Sequence, residues 1–459
     1  MTKPTKSETQ TAALSVLKET LRRCAERRLS VGLLRPKPLS PSEAAHGDFD
    51  LFCAPPVLRY LIATFCSIAR EQTVTLYLEH TRPAKWVLRL SASPGSVRIV
   101  VEIWTRIELT LAAGNSCKPA FLRIAELEPH IQYSSESASL KPVAAALVYV
   151  THLYHKNKDL EHPEVRARLK WYRNELSRDL SPIDGDRLGV QPAEVLELLS
   201  VLGTGNPISE LSGRASVLLR KHGVRPRAQL LFTLRKKLWR RHQERPRRSH
   251  HPIVAIVGPD GTGKTTVLQM VADRCPDLDV EITRFKKLFR NYPLLAKFTK
   301  SRARGETRNV VEERLSTWIS ALAVLRLRVA RVVRRTPALW LLDRYFYDYY
   351  YRGLRDHNMP RHRKTLFARV MGGMVPRPAA LIVCHCPEQQ RLERKPHELT
   401  SESAALLYAT YVAQVSPSRV NKLLFLSTAG TLEDTGIRTA LICDLLHELK
   451  PKHRQRVAS

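Results

Sequence analysis

Missing from this chain is any apolar run approaching the length of a membrane span, and residues Met1 to Gln10 are polar, without the apolar core of a signal peptide. The expectation is a cytoplasmic protein. Paired cysteines are missing too: eight are scattered along 459 residues with no C-x-x-C among them. Cys384 and Cys386 form a lone C-x-C inside an apolar strand, where packing is expected rather than a metal site, because no second ligand pair accompanies it. Acidic residues are scarce beside basic ones, 43 against 75, which leaves a net charge of +32 and a pI near 10.2. At 43% hydrophobic residues the chain has material for two or three domains, each with a core.

The positive charge is uneven. Arg214 to His251 holds 13 Lys and Arg against the single acid Glu244, and Arg284 to Arg335 holds 15 against three. Such segments attract polyanions, whether nucleic acid or an anionic membrane face, but solvated Arg-rich helix faces produce the same count. Aromatic residues for stacking bases are few in the first segment, only Phe232 and Trp239.

The most informative stretch lies between those segments. Ile253 to Val257 is an unbroken apolar run that ends at Gly258-Pro259-Asp260-Gly261-Thr262-Gly263-Lys264-Thr265-Thr266. Val267 onward then has helical spacing. Strand, glycine loop and helix in this order fit G-x-x-x-x-G-K-[ST]: glycines let backbone N–H groups turn inward on a phosphate at the positive end of a helix. Lys264 is placed for the outer phosphates and Thr265 for magnesium. Further on, Ala338 to Leu342 reads as a buried parallel strand delivering Asp343 and Arg344 at its C-terminal end, where α/β sheets place their ligands. Asp343 is a candidate for magnesium or the acceptor, and Arg344 for clamping a phosphate. Strands at 280–283, 379–384 and 423–426 alternate with helices to residue 449, predicting an α/β doubly wound parallel sheet.

The first half is more mixed. Residues 8 to 29 predict one amphipathic helix, and Arg35 to Pro41 is too rich in proline for regular structure. Asp48 and Asp50 lie two apart on an expected strand and so share a face. A helix is expected over 56–70, with strands over 74–79, 86–90 and 97–104. The last puts Glu102 on the face of Val100 and Trp104. Two acids on one strand carry like-charge strain that a metal would relieve. From Ala144 the pattern is helical. His152 and His155 there read as solvated or packed, 203–213 as a loop, Gln229 to His242 as a basic amphipathic helix, and Val310 to Arg335 as another helix.

The second half, about 252 to 449, resembles the thymidylate kinase family of P-loop phosphotransferases. The resemblance rests on Gly258 to Thr266, on Asp343-Arg344-Tyr345 and on Arg391 to Glu398 with the helix after it. It implies ATP and Mg2+ as cofactors, bound by Gly258, Asp260, Gly261, Thr262, Gly263, Lys264, Thr265 and Thr266. It further implies a carboxylate at Asp260 for the acceptor, an Asp343–Arg344 pair orienting the phosphates, and a mobile basic lid carrying Arg391, Arg394 and Lys395. Where the family has Glu-Pro-Gly, this chain reads Thr283-Arg284-Phe285-Lys286-Lys287. The first half resembles the nucleotidyltransferase superfamily in an α+β domain, with Asp48, Asp50 and Glu102 as the implied Mg2+ ligands. That family's upstream glycine turn is replaced by Leu33-Leu34-Arg35-Pro36.

The expected division is an N-terminal helix (1–34), a nucleotidyltransferase-like domain with a helical end (35–213), a basic helix and linker (214–251), the kinase-like domain (252–449) and a basic tail (450–459). Three functions follow: transfer of the γ-phosphoryl group of ATP to a small acceptor, nucleotidyl transfer at Asp48, Asp50 and Glu102, or ATP-gated binding of a polyanion or membrane. The expected partners are a small-molecule acceptor, a polyanion or anionic membrane for segments 214–251 and 284–335, and a second copy of the chain.

Overall fold

The computed structural model describes residues 6–34, 48–82, 84–91, 99–113, 116–155, 162–178, 252–276, 280–284, 339–345, 377–396, 400–415 and 422–449, with a few single positions between them. The Pro-rich connection, the 203–213 loop, nearly all of both basic segments with their two expected helices, and the basic tail lie outside the described residues. So do the side chains of His152 and His155. The chain divides into two units, one of Met1–Ile68, His80–Leu90 and Val97–Arg240, the other of Ala69–Glu79, Ser91–Ser96 and Arg241–Ser459. Among the described residues no helix is long and apolar enough to cross a membrane.

The chain begins with α1 (Lys6–Glu26), β1 (Val31–Leu33), β2 (Asp48–Cys53) and α2 (Leu58–Glu71), followed by β3 (Thr75–Arg82), most of which belongs to the second unit, and by β4 (Lys85–Ser91) and β5 (Ile99–Trp104). A hairpin of β6 (Arg106–Ala113) and β7 (Ser116–Arg123) comes next, then the short α3 (Ile124–Leu127), β8 (Ile131–Tyr133), β9 (Ala138–Leu140), α4 (Pro142–His155) and α5 (Pro163–Arg178). Leu14, Leu17, Leu21 and Cys24 recur along α1 at three- and four-residue steps, and all are buried. In the sheet β2 is central: it pairs parallel with β5, Asp50 opposite Glu102, and antiparallel with β1. Beyond these lie β4 on β5, β9 on β1 and β8 on β9. Val143 to Val150 of α4 are buried on every side, as expected of a helix apolar all round.

Both early helices end in the same way. Leu29 N donates to Cys24 O at 3.0 Å and Arg28 N to Ala25 O at 2.9 Å; Val74 N donates to Ala69 O at 2.8 Å and Thr73 N to Arg70 O at 3.3 Å. These paired 6→1 and 5→2 bonds close a helix through one left-handed residue, a place usually taken by glycine. Here it is Arg28 at φ 48° and Thr73 at φ 58°. A β-branched residue pays most in this conformation, so Thr73→Gly is expected to stabilise the protein by about 1 kcal/mol. Thermal unfolding beside the wild type checks this; a lower melting temperature would refute it.

The second unit contains β10 (Ile253–Val257), α6 (Lys264–Arg274), β11 (Val280–Arg284), β12 (Leu339–Asp343) and β13 (Ala380–His385). It closes with α7 (Glu388–Arg394), α8 (Ser401–Val412), β14 (Lys422–Ser427) and α9 (Leu432–Leu449). Its parallel strands run in the order β11, β12, β10, β13, β14. The first strand in sequence therefore sits in the middle, β12 on one side and β13 on the other. Both faces are buried, which accounts for strands that read as continuous apolar runs. Val254, Ile256, Leu341, Ile382 and Leu424 pack with Val267, Val271, Ile442 and Leu446 of α6 and α9. On the other face Tyr408 of α8 meets the edge of Phe425 at 5.8 Å.

Residues 75–79 of β3 join this unit antiparallel to β14. Lys422, buried at the start of β14, lies 2.6 Å from Glu448 of α9 and 3.2 Å from Glu79 of β3, tying the three elements together. His385 is fully buried and stacked on Phe425 at 4.2 Å. Burial, helped by the Arg70 and Arg438 charges, pushes its pKa down to about 3. The folded protein holds this imidazole neutral while the unfolded chain protonates it below its ordinary value. Stability is therefore lost as pH falls from 6.5 towards about 3, with this one group contributing a slope of up to about 1.4 kcal/mol per pH unit. His385→Gln should flatten that part of a stability–pH curve; an unchanged slope would show that His385 does not carry it.

Candidate functional site

The site forms at the C-terminal edge of the second unit's sheet, where the neighbours of β10 diverge. Open α/β sheets bind ligands in such crevices. At the end of β10 the chain turns through Gly258 at φ 149°, Gly261 at φ 89° and Gly263 at φ 72°. A β-carbon on Gly258 would lie 2.6 Å from the Cys384 carbonyl oxygen, and one on Gly261 would lie 2.8 Å from that of Arg391. Glycine is required by both the backbone angle and the space. Gly263 is the left-handed N-cap of α6, so the first amides of that helix open onto the loop with its positive dipole end behind them.

The loop is held from within and from behind. The buried Thr262 hydroxyl donates to Pro259 O at 2.8 Å. The Thr428 hydroxyl, just past β14, lies 3.0 Å from the carbonyl oxygens of both Thr262 and His385. Thr428 thus fastens the glycine loop to the ends of two strands. It was not singled out in the sequence, where the only signal is a strand ending in small polar residues at the ligand edge of an α/β sheet.

Lys264 is the first residue of α6 and is 6% exposed. Its ammonium donates to Pro259 O at 2.6 Å and lies 3.5 Å from an Asp260 carboxylate oxygen. That same oxygen is bonded by Arg344. Arg344 follows β12 with its backbone at φ 69°, a left-handed conformation that costs a non-glycine residue about 1–3 kcal/mol and clusters at functional sites. Its amide donates to Ile256 O at 2.8 Å, which extends the β10–β12 pairing by one residue. Asp343 stands opposite Ile256 in that pairing, two residues before the loop begins. Lys264, Asp260 and Arg344 are therefore joined through one carboxylate, with Asp343 at the same strand ends.

The lid candidates divide. Arg394 is exposed, with its guanidinium 3.5 Å from Gly261 O, beside the loop. Arg391 is fully buried and meets Glu388 in a two-pronged ion pair at 2.6 and 3.0 Å. Here an acid three residues earlier on the same helix captures the fork. The pair holds the Glu388 carboxyl below the usual range. Lys395 lies against Gly261. Cys384 and Cys386 are buried, and burial pushes the Cys384 thiol up to about 12, as suits packing.

Magnesium fits this edge. Thr265 is exposed on the first turn of α6 and Asp343 ends the adjacent strand, and a magnesium ion that keeps waters and phosphate oxygens needs few protein ligands. Among the described residues no three His, Cys, Asp or Glu converge into a metal-holding group. In the first unit Asp50 and Glu102 do stand opposite each other, but Glu102 is paired with Lys85 at 2.5 Å and Asp50 accepts from the Trp104 indole at 3.2 Å. The Asp48 side chain lies outside the described residues. Asp50 and Glu102 thus each have a protein partner.

No protein-family model and no curated protein matches the sequence. Among solved structures the chain is similar to a thymidylate kinase from Candida albicans, with a TM-score of 0.33 and 13% identity over 43% of this chain and 93% of that one. The chain itself is a mixed α/β protein whose largely parallel strands end, in the second unit, at a glycine loop.

Proposed function

We propose that the second unit is an ATP-dependent phosphotransferase of thymidylate kinase type, moving the γ-phosphoryl group of ATP to a small acceptor such as a nucleoside monophosphate, a sugar or a sugar phosphate. The observation that carries the reading is the junction of Lys264, Asp260 and Arg344 at the glycine loop. Two cations converge there on one anionic oxygen in a half-buried site, the arrangement that a phosphoryl group in transit requires.

In this reading the loop amides and the N-terminus of α6 hold the ATP phosphates. Magnesium, held by Thr265 and Asp343, would neutralise charge on the donor phosphates. Lys264 exchanges its bond to the Pro259 carbonyl for the terminal phosphate. Transfer breaks the bond from the terminal phosphorus to the bridging oxygen of ATP and makes one from that phosphorus to an acceptor oxygen. Lys264 and Arg344 balance the charge spread over the equatorial oxygens, and Arg394 covers the donor side and excludes water. Asp260 takes the acceptor hydroxyl when Arg344 turns to the phosphates, and Arg391 keeps α7 against the loop without touching substrate.

The test is ATP consumption by the purified full chain against nucleoside monophosphates, including dTMP, and sugar phosphates, with products resolved by mass spectrometry. A phosphorylated product would establish the reaction and name the acceptor. Bound ATP without turnover on any member of a broad panel would argue against it.

A further inference from the structure

Outside the glycine loop, a compact set of charges lies on one face of the first unit's sheet. In β5 and its neighbours Asp50 stands opposite Glu102 and Lys85 stands opposite Trp104, so strand alternation brings all four to the same face. Their side chains form a chain of contacts. Lys85 Nζ is 2.5 Å from Glu102 Oε2 with the two side chains 12% and 17% exposed, and it also lies 4.8 Å from the centre of the Trp104 ring. The Trp104 indole N–H in turn donates to Asp50 Oδ1 at 3.2 Å, and Asp50 is 6% exposed.

Two carboxylates side by side in a half-buried place need a cation. A divalent ion is one answer, and a tethered ammonium is another. Here the ammonium touches the Glu102 oxygen that a metal would use, and the tryptophan face holds it there through a cation–π contact. A divalent ion entering beside it would meet a like charge at contact distance, where protein screens poorly. We propose that Lys85 is the resident cation of this cluster, so that the first unit takes no catalytic divalent metal at Asp50 and Glu102 and serves as a charge-compensated scaffold rather than a nucleotidyl-transfer site. This inference stands apart from the phosphotransferase reading and survives its failure.

The test titrates Mn2+ alone into the nucleotide-free full chain, followed by electron paramagnetic resonance and thermal unfolding. It compares wild type, Asp50→Asn, Lys85→Ala and the Lys85→Ala/Asp50→Asn double variant. Wild type and Asp50→Asn should bind Mn2+ alike. Lys85→Ala should gain a site at least tenfold tighter, with a melting temperature that climbs with Mn2+, and the double variant should lose that gain. Lys85→Gln, which keeps much of the stem and a polar head, replaces alanine if the latter fails to fold, and the wild-type comparison needs no Lys85 variant at all. Mn2+ binding by the wild type that Asp50→Asn removes would overturn the proposal. So would folded Lys85 variants that gain nothing.

Discussion

Lys264→Ala is expected to lower phosphotransfer by at least about a thousandfold, because it removes a fixed charge from the oxygens on which negative charge accumulates in the transition state. The fold should survive. Lys264 bonds to Pro259 and Asp260, both within its own loop, and no core contact depends on its ammonium. Melting should therefore shift by less than about 1 kcal/mol equivalent. Lys264→Arg should fail to rescue, since a planar fork does not fill the place of a compact point charge in a loop this closely built. Product formation by mass spectrometry, with circular dichroism melting of the same preparations, decides the matter. A Lys264→Ala protein that turns over near the wild-type rate would remove the P-loop from the chemistry.

Gly258→Ala should be nearly as damaging, through the backbone rather than through charge. Its new β-carbon would stand 2.6 Å from the Cys384 carbonyl oxygen and 2.9 Å from the Thr262 hydroxyl, at a φ of 149°. Cys384 cannot retreat, because it lies in β13 between β10 and β14. Strain and overpacking together predict a loss of about 3 kcal/mol in stability and at least a tenfold loss in ATP affinity, as the loop amides turn away from the phosphates. Gly436→Ala is the matched control. That glycine lies inside α9, and its β-carbon would meet the Arg274 guanidinium at 3.0 Å and the Met270 methyl at 3.9 Å; the guanidinium already bonds Gly436 O and, as the end of a long side chain, can yield a few tenths of an ångström, so the gain in helix propensity should roughly offset the contact. Equal effects at the two positions, read by thermal melting and nucleotide titration, would refute the argument from loop geometry.

What the sequence by itself determined is whatever depends on neighbours along the chain. The apolar run of β10, the glycines after it and the helical spacing of α6 are local, and they located the strand, glycine loop and helix to the residue. The buried run ending at Asp343 and Arg344 placed that pair at a strand end for the same reason, and the period-two pattern put Glu102 on the face of Val100 and Trp104, while the β2–β5 register set Asp50 beside it. Short elements were not legible: β1 and β9 are strands by virtue of partners distant in the chain, and the hairpin of β6 and β7 and the three-residue β8 by pairing with near neighbours more than by their own patterns. The left-handed backbones of Arg28, Thr73 and Arg344 carry no glycine to announce them. The tertiary structure alone decided which charges meet. Lys85 faces Glu102 because an antiparallel register brings β4 beside β5, Thr428 reaches Thr262 across 166 positions, and Arg344 reaches Asp260 across 84. An ion pair or a hydrogen bond depends on a few ångströms of space, and a linear pattern of residue types does not encode such distances between remote positions.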